Sequence, residues 1–196
     1  MGARFVQDSR NRTHYVWHQE MAMSCGPACI AMTEQAYYQK NIENAETRVR
    51  DLSQKYPGNF NVRSGTTIEN LATVLRAEGI PTYKPVQLKK ADLFSYFRHY
   101  VRPRTPVICQ LLWLQPESVT MMTHFVLLKQ VDPDSRMIFL DPLNDVVEVS
   151  YDQLVKESVN YRANGGYNGQ LTGWIVVPHL NGNGNGNGNG NGNAGA

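Results

Sequence analysis

The chain has 196 residues and a formal charge of +2, with no run of Lys or Arg and no basic stripe, so a nucleic-acid partner is not expected. No stretch approaches the roughly 18 consecutive apolar residues that a membrane span needs. Three cysteines leave an odd count and no disulfide framework, and the opening MGARFVQDSRNRTHYVWH lacks the apolar run of a secretory signal. The expected location is therefore the cytoplasm of the producer, or outside it by a route that needs no signal peptide.

Residues 1–18 read as extended or irregular. Ser24 is placed to cap a helix, with Pro27 in its first turn, where a missing N–H costs little. Ala28 to Tyr38 then runs as a helix that is apolar on nearly all sides, the pattern of a central buried helix. Ile42 to Lys55 predicts a second, more polar helix, and Tyr56-Pro57-Gly58-Asn59 ends it. Ser64-Gly65-Thr66-Thr67 forms a cap before Ile68 to Glu78, where Ile68, Leu71, Ala72 and Leu75 follow helical spacing. Gly79 stops that helix, Ile80 to Tyr83 leads out extended, and Leu88 to Tyr100 predicts a fourth helix.

The pattern changes after Pro106. Val107 to Trp113 is a buried-strand run, Phe125 to Val131 and Met137 to Leu140 flank a Pro133-Asp134-Ser135 turn, and Val146 to Val149 and Trp174 to Val177 complete the strands. Helices first and strands later predict an α+β domain over residues 1–180, with the helices on one side of an antiparallel sheet. YRANGGYNGQ, residues 161–170, reads as a mobile cleft loop. Residues 181–196, NGNGNGNGNGNGNAGA, hold no side chain able to build a core and predict a flexible tail.

The chemistry concentrates in QEMAMSCGPACIAM, residues 19–32. Cys25 opens the buried helix, whose positive end favours thiolate over thiol. Gln19, six residues earlier, can offer a side-chain amide to an oxyanion, and the Cys25 backbone N–H can offer a second donor. A cysteine nucleophile needs a base and the base an orienting acceptor. Of the five histidines, His124 begins an apolar strand and is placed to face a cleft. The next strand ends in Asp141-Pro142, and a hairpin would return Asp141 to His124. Asn144 and Asp145 are the fallback acceptors. Cys29 and Cys109, inside apolar runs, read as small buried hydrophobes. A rival grouping, His14, His18, Cys25 and Cys29, has zinc-ligand chemistry, but its spacing, with the second pair inside a helix, is unlike that of metal knuckles.

These residues together resemble a family. Gln19…Cys25-Gly26-Pro27-Ala28-Cys29, Gly65-Thr66-Thr67, His124-Phe125-Val126-Leu127 and Asp141-Pro142 resemble papain-like cysteine peptidases of bacterial type, over roughly residues 15 to 155. The pattern is similar to that of the bacteriocin-processing peptidases, which cut leader peptides after a double glycine, and to papain-like effector proteases. The resemblance implies a papain-like fold, Cys25 as nucleophile, His124 as base and then acid, Asp141 as orienter, Gln19 as oxyanion donor, and no metal or organic cofactor. It implies a protein or peptide substrate and a possible cognate inhibitor or immunity protein. No transporter segment accompanies the pattern, and the stretch from Cys25 to His124 is long for a leader peptidase. Both tilt the expectation toward a stand-alone toxin- or effector-type endopeptidase over a leader-processing one. A deamidase or a non-catalytic peptide-binding module on the same fold remains the alternative.

Overall fold

A computed structural model describes residues 2–114, 122–155, 161–162 and 168–180. The predicted Asn-Gly tail lies outside the described residues. The chain is a mixed helical and antiparallel-sheet domain. In order it forms β1 (Ala3–Gln7), β2 (Thr13–Trp17), α1 (Cys25–Tyr38), α2 (Ala45–Ser53), α3 (Ile68–Ala77), β3 (Val86–Gln87) and α4 (Lys90–Tyr100). There follow β4 (Val107–Leu114), β5 (Met122–Val131), β6 (Met137–Asp141), β7 (Asp145–Val149), α5 (Tyr151–Val155), β8 (Tyr161–Arg162) and β9 (Asn168–Val176).

The main sheet runs β3-β9-β4-β5-β6-β7, with β8 pairing β9, and every pairing is antiparallel. Its last strand in sequence is therefore interior to it, between β3 and β4. That strand is longer than the expected Trp174 to Val177, and the 161–170 stretch read as a loop supplies β8 and the start of β9. Residues 163–167 lie outside the described residues. The first residues, expected to be irregular, form a separate hairpin in which Phe5 pairs with Tyr15 and Ala3 with Trp17.

The helices do not all lie on one side. Ile108, Phe125, Leu127, Leu140 and Val176 point from the sheet into a core shared with α1, α2, α3 and β2. The alternate residues Val107, Cys109, Val126, Leu128, Phe139 and Ile175 point the other way, into a core closed by Leu93 and Phe97 of α4. Successive strand side chains face opposite ways, so a sheet covered on both faces needs unbroken apolar runs. That is why β4 and β5 show no polar alternation.

Three local details shape α3 and its packing on α1. Gly26 admits α3's N-terminal region: a Cβ there would stand 2.5 Å from Thr66 Cγ2 and 2.9 Å from Leu71 Cδ2. At the far end of α3, Gly79 takes φ +78°, and the following Ile80 N–H donates to Leu75 O at 2.9 Å, closing the helix. Thr67 caps its start by accepting the Asn70 N–H at 3.2 Å.

Within α1, Glu34 is fully buried. Its Oε2 accepts Arg48 Nη2 at 2.5 Å, and its Oε1 has no partner among the described residues. Burial pushes the Glu34 carboxyl up to about 7, although Arg48 opposes the shift. In the unfolded chain a glutamate releases its proton near ~4.3. Between those values the folded state holds the extra proton, so raising the pH from 5 to 8 should remove about 3 kcal/mol of stability at this site. Glu34→Gln should flatten that fall. Urea unfolding of both proteins at pH 5 and pH 8 checks this, and parallel pH dependences would rule it out.

Candidate active site

Cys25 is the first residue of α1, where a backbone N–H has no intrahelical partner. Ser24 occupies the cap position, but its side chain does not cap the helix. Its hydroxyl instead donates to Met21 O at 2.9 Å and accepts the Met21 N–H at 3.1 Å, closing a tight turn just before the cysteine. The helix starts at Cys25, as the capping pattern predicts, which puts the cysteine at its positive end.

His124 is the third residue of β5, within the strand rather than at its start. It pairs with Leu111 of β4 and is 5% exposed. Its neighbour Phe125 packs in the same core as α1, which brings β5 against the cysteine's helix. His124 Nε2 donates to Asp141 Oδ1 at 2.9 Å, and its ring also hydrogen-bonds the Cys25 side chain. With Nε2 on the carboxylate, Nδ1 is the ring nitrogen left for the sulfur.

Asp141 closes β6 and is fully buried. Besides His124 it accepts the Leu143 N–H on Oδ1 at 2.8 Å and Asn144 Nδ2 on Oδ2 at 3.0 Å. Burial alone would raise its carboxyl, but His124 and these two donors hold it below the usual carboxylate value. Asn144, a fallback acceptor in the sequence, is thus a donor to the acceptor. Asp145 is turned to the hairpin, where it accepts Arg4 Nε at 2.7 Å and His18 Nε2 at 2.5 Å.

Burial works against a charged His124, yet the Asp141 carboxylate and the Cys25 sulfur hold the ring protonated up to about 10. Cys29 and Cys109 are buried, and burial pushes both thiols up, Cys29 with further opposition from the charge of Cys25. Cys25 is also buried, but of the three it is the one hydrogen-bonded to His124.

The cleft beside this pair has a volume of about 260 Å³. Ala22, Met23, Met122, Thr123 and Leu143 wall it, with Cys25 and His124 facing in. Leu143 belongs to the turn after Asp141 and Met23 to the turn before Cys25, so the two segments that hold the polar groups also shape the cleft.

Gln19 reaches this region from the end of β2. Its backbone N–H donates to Pro142 O at 3.1 Å, tying it to the Asp141 turn. Its Nε2 donates to Met21 O at 2.8 Å and Ala22 O at 2.7 Å, and its Oε1 is buried without a partner among the described residues. Both amide protons are occupied, so donating to an oxyanion would require exchanging one of these bonds.

The rival metal grouping is not gathered. His14 Nε2 is bound to Asp8 Oδ2 at 2.9 Å, His18 to Asp145, Cys25 to His124, and Cys29 lies inside the helical core. Among the described residues no three His, Cys, Asp or Glu side chains are placed to hold a metal ion. Nor is any described helix long and apolar enough to cross a membrane.

Sequence reasoning missed Asn144's donor role and the cleft walls at Met23, Met122 and Leu143. A turn of the form Asp-Pro-Leu-Asn is a signal for a self-satisfied aspartate. The methionines carried no signal beyond apolarity. No protein-family model matches the chain, and no curated protein is significantly similar to it.

Iodoacetamide at pH 6 should modify Cys25 rapidly and leave Cys29 and Cys109 unmodified in the folded protein, as read by peptide mass spectrometry. His124→Ala should abolish this selectivity. Asp141→Asn should move the alkaline loss of imidazolium, tracked by the His124 NMR shift, well below about 10, because the carboxylate is what raises it. An unmoved titration would remove Asp141 from its orienting role.

Proposed function

We propose that the chain is a papain-like cysteine endopeptidase. The observation that carries the reading is one connected set. A cysteine at a helix N-terminus hydrogen-bonds a histidine whose Nε2 donates to a buried, donor-saturated aspartate, and the pair opens on a cleft. Nucleophile, base and orienter in this order are what acyl transfer through a thioester requires.

His124 takes the Cys25 proton, giving thiolate and imidazolium. The sulfur attacks the scissile carbonyl carbon, a C–S bond forms, and the carbonyl π electrons move to oxygen. The Cys25 N–H and Gln19 Nε2 receive that oxyanion, the latter after releasing Met21 O or Ala22 O. When the oxyanion collapses, the C–N bond breaks and the amine leaves with the proton from His124. Water then attacks the thioester with His124 as base, which releases the acid and restores the thiol. Asp141 stays ionised throughout and keeps the ring in place.

A peptide strand is the ligand of this cleft, whose walls are apolar apart from Thr123 and the reacting pair. The toxin- or effector-type role, the leader-processing role and a cognate inhibitor are refinements of this reading that depend on the substrate.

Incubation with a protein-substrate library, read by N-terminal labelling, is expected to reveal new termini that disappear with Cys25→Ala. On any peptide so found, Gln19→Ala should lower kcat by about 100-fold, the effect of losing one oxyanion donor. A loss under about threefold would remove Gln19 from the hole. New termini that persist with Cys25→Ala would defeat the enzyme reading, and peptide binding with no cleavage by the parent would favour a binding module.

A further inference from the structure

The segment from Gln19 to Ser24 leads from one proposed oxyanion donor to the other. Its internal bonds are a turn: the Ser24 N–H donates to Met21 O at 3.1 Å, and the Ser24 hydroxyl bridges the Met21 backbone. A turn keeps its own shape but does not fix where it sits on the protein. The connection to the body of the fold comes from α2.

Glu46, the second residue of α2, is 0% exposed. Its Oε2 accepts the Trp17 indole N–H at 2.9 Å. The Glu20 backbone N–H is shared between its two oxygens, at 3.1 and 3.0 Å. Arg50 Nη1 donates to its Oε1 at 2.7 Å. Burial pushes this carboxyl up, while the Glu20 N–H and Arg50 oppose the shift. One buried carboxylate thus grips the chain just before Gln19 and just after it.

A carboxylate is a costly way to fill a core position, since a buried charge needs every lone pair occupied. Val49 on the same helix shows what plain packing uses there. Apart from Arg50 on its own helix, the Glu46 donors are Trp17 and the Glu20 N–H, so the charge acts on the chain on either side of Gln19. The segment in turn presents the Met21 and Ala22 carbonyls that hold the Gln19 amide.

Resting on the peptidase reading above, we propose that Glu46 is the positioning residue of the oxyanion hole, fixing where the Gln19–Cys25 segment sits on the fold and with it the places of both donors. Glu46 touches no reacting atom. Its loss should therefore disturb steps that build an oxyanion and spare steps that need only the thiolate.

Two probes separate these. Iodoacetamide is attacked at its methylene carbon, where a C–S bond forms and iodide leaves, with no oxyanion. The peptidyl aldehyde acetyl-leucyl-leucyl-norleucinal adds Cys25 across its carbonyl, and its affinity depends on what receives the oxygen. Glu46→Gln keeps the shape but puts an amide donor where acceptors are needed. It is expected to leave the alkylation rate of Cys25 at pH 7 within about twofold and to weaken the aldehyde by about tenfold or more. On a peptide the parent cleaves, kcat should fall by a similar factor with KM within about twofold. Equal losses on both probes, or no loss on the aldehyde, would overturn the proposal. Trp17→Phe removes only one of the donors and should weaken the aldehyde by about threefold with alkylation unchanged. If Glu46→Gln does not fold and Trp17→Phe binds the aldehyde as the parent does, the proposal also fails. A parent protein that neither binds the aldehyde nor alkylates selectively at Cys25 would instead sink the peptidase reading itself, and the positioning role with it.

Discussion

A carboxylate with no exposure to water must be surrounded by donors or it will not stay ionised, and Asp141 meets that demand with three: His124, the Leu143 N–H and Asn144. Two of the three come from its own turn, so the strand that supplies the charge also stabilises it. The third is the imidazole, and satisfying Asp141 therefore fixes the ring. The same turn offers Pro142 O to the Gln19 backbone and Leu143 to the cleft wall. Orientation of the histidine, placement of the glutamine segment and shape of the cleft all descend from how this one buried charge is accommodated.

The β1–β2 hairpin lies outside the main sheet and is tied to it by charge. Arg12 bridges Asp8 at 2.6 Å and Asp132 at 2.6 and 2.8 Å, and both acids are almost fully buried. Ser9 binds Glu148 through its N–H at 2.6 Å and its hydroxyl at 2.7 Å. At the other end Arg4 and His18 share Asp145. Exposed ion pairs contribute little each, but a fork-shaped pair on a buried carboxylate is directional. These contacts aim the hairpin, and the chain leaving it brings Gln19 to the Asp141 turn, where its N–H meets Pro142 O.

The sheet's double coverage has a related consequence. Because α1 presses on one face and α4 on the other, β5 has no free side on which to shift. A one-residue slip would turn Phe125 and Leu127 out of the α1 core and carry His124 off Asp141. The apolar content of both faces thus protects the register on which the Cys25–His124 contact depends.

Much of this was written in the chain itself. Cys25 at a helix start, His124 on an apolar strand and Asp141 before a proline are local signals, and each sits where local chemistry predicts. Helix existence followed from 3.6-residue spacing in α3 and from the all-round apolar run of α1. Failures came where partners are distant in sequence. The hairpin has no turn signature as plain as Asn-Gly, and its stability comes from Asp132, Asp145 and Glu148, more than a hundred residues away. Whether α4 lies on the same face as α1 depends on strand alternation across several strands, which no window of sequence displays. Glu46 reads as one more charge on a polar helix until Trp17 and the Glu20 N–H close around it. The sequence by itself determined which groups can do chemistry, because nucleophilicity, basicity and periodicity belong to residue type and near neighbours. Only the tertiary structure decided which of those groups meet and which are held protonated or ionised, because burial and hydrogen-bond geometry come from chain segments that approach one another only on folding.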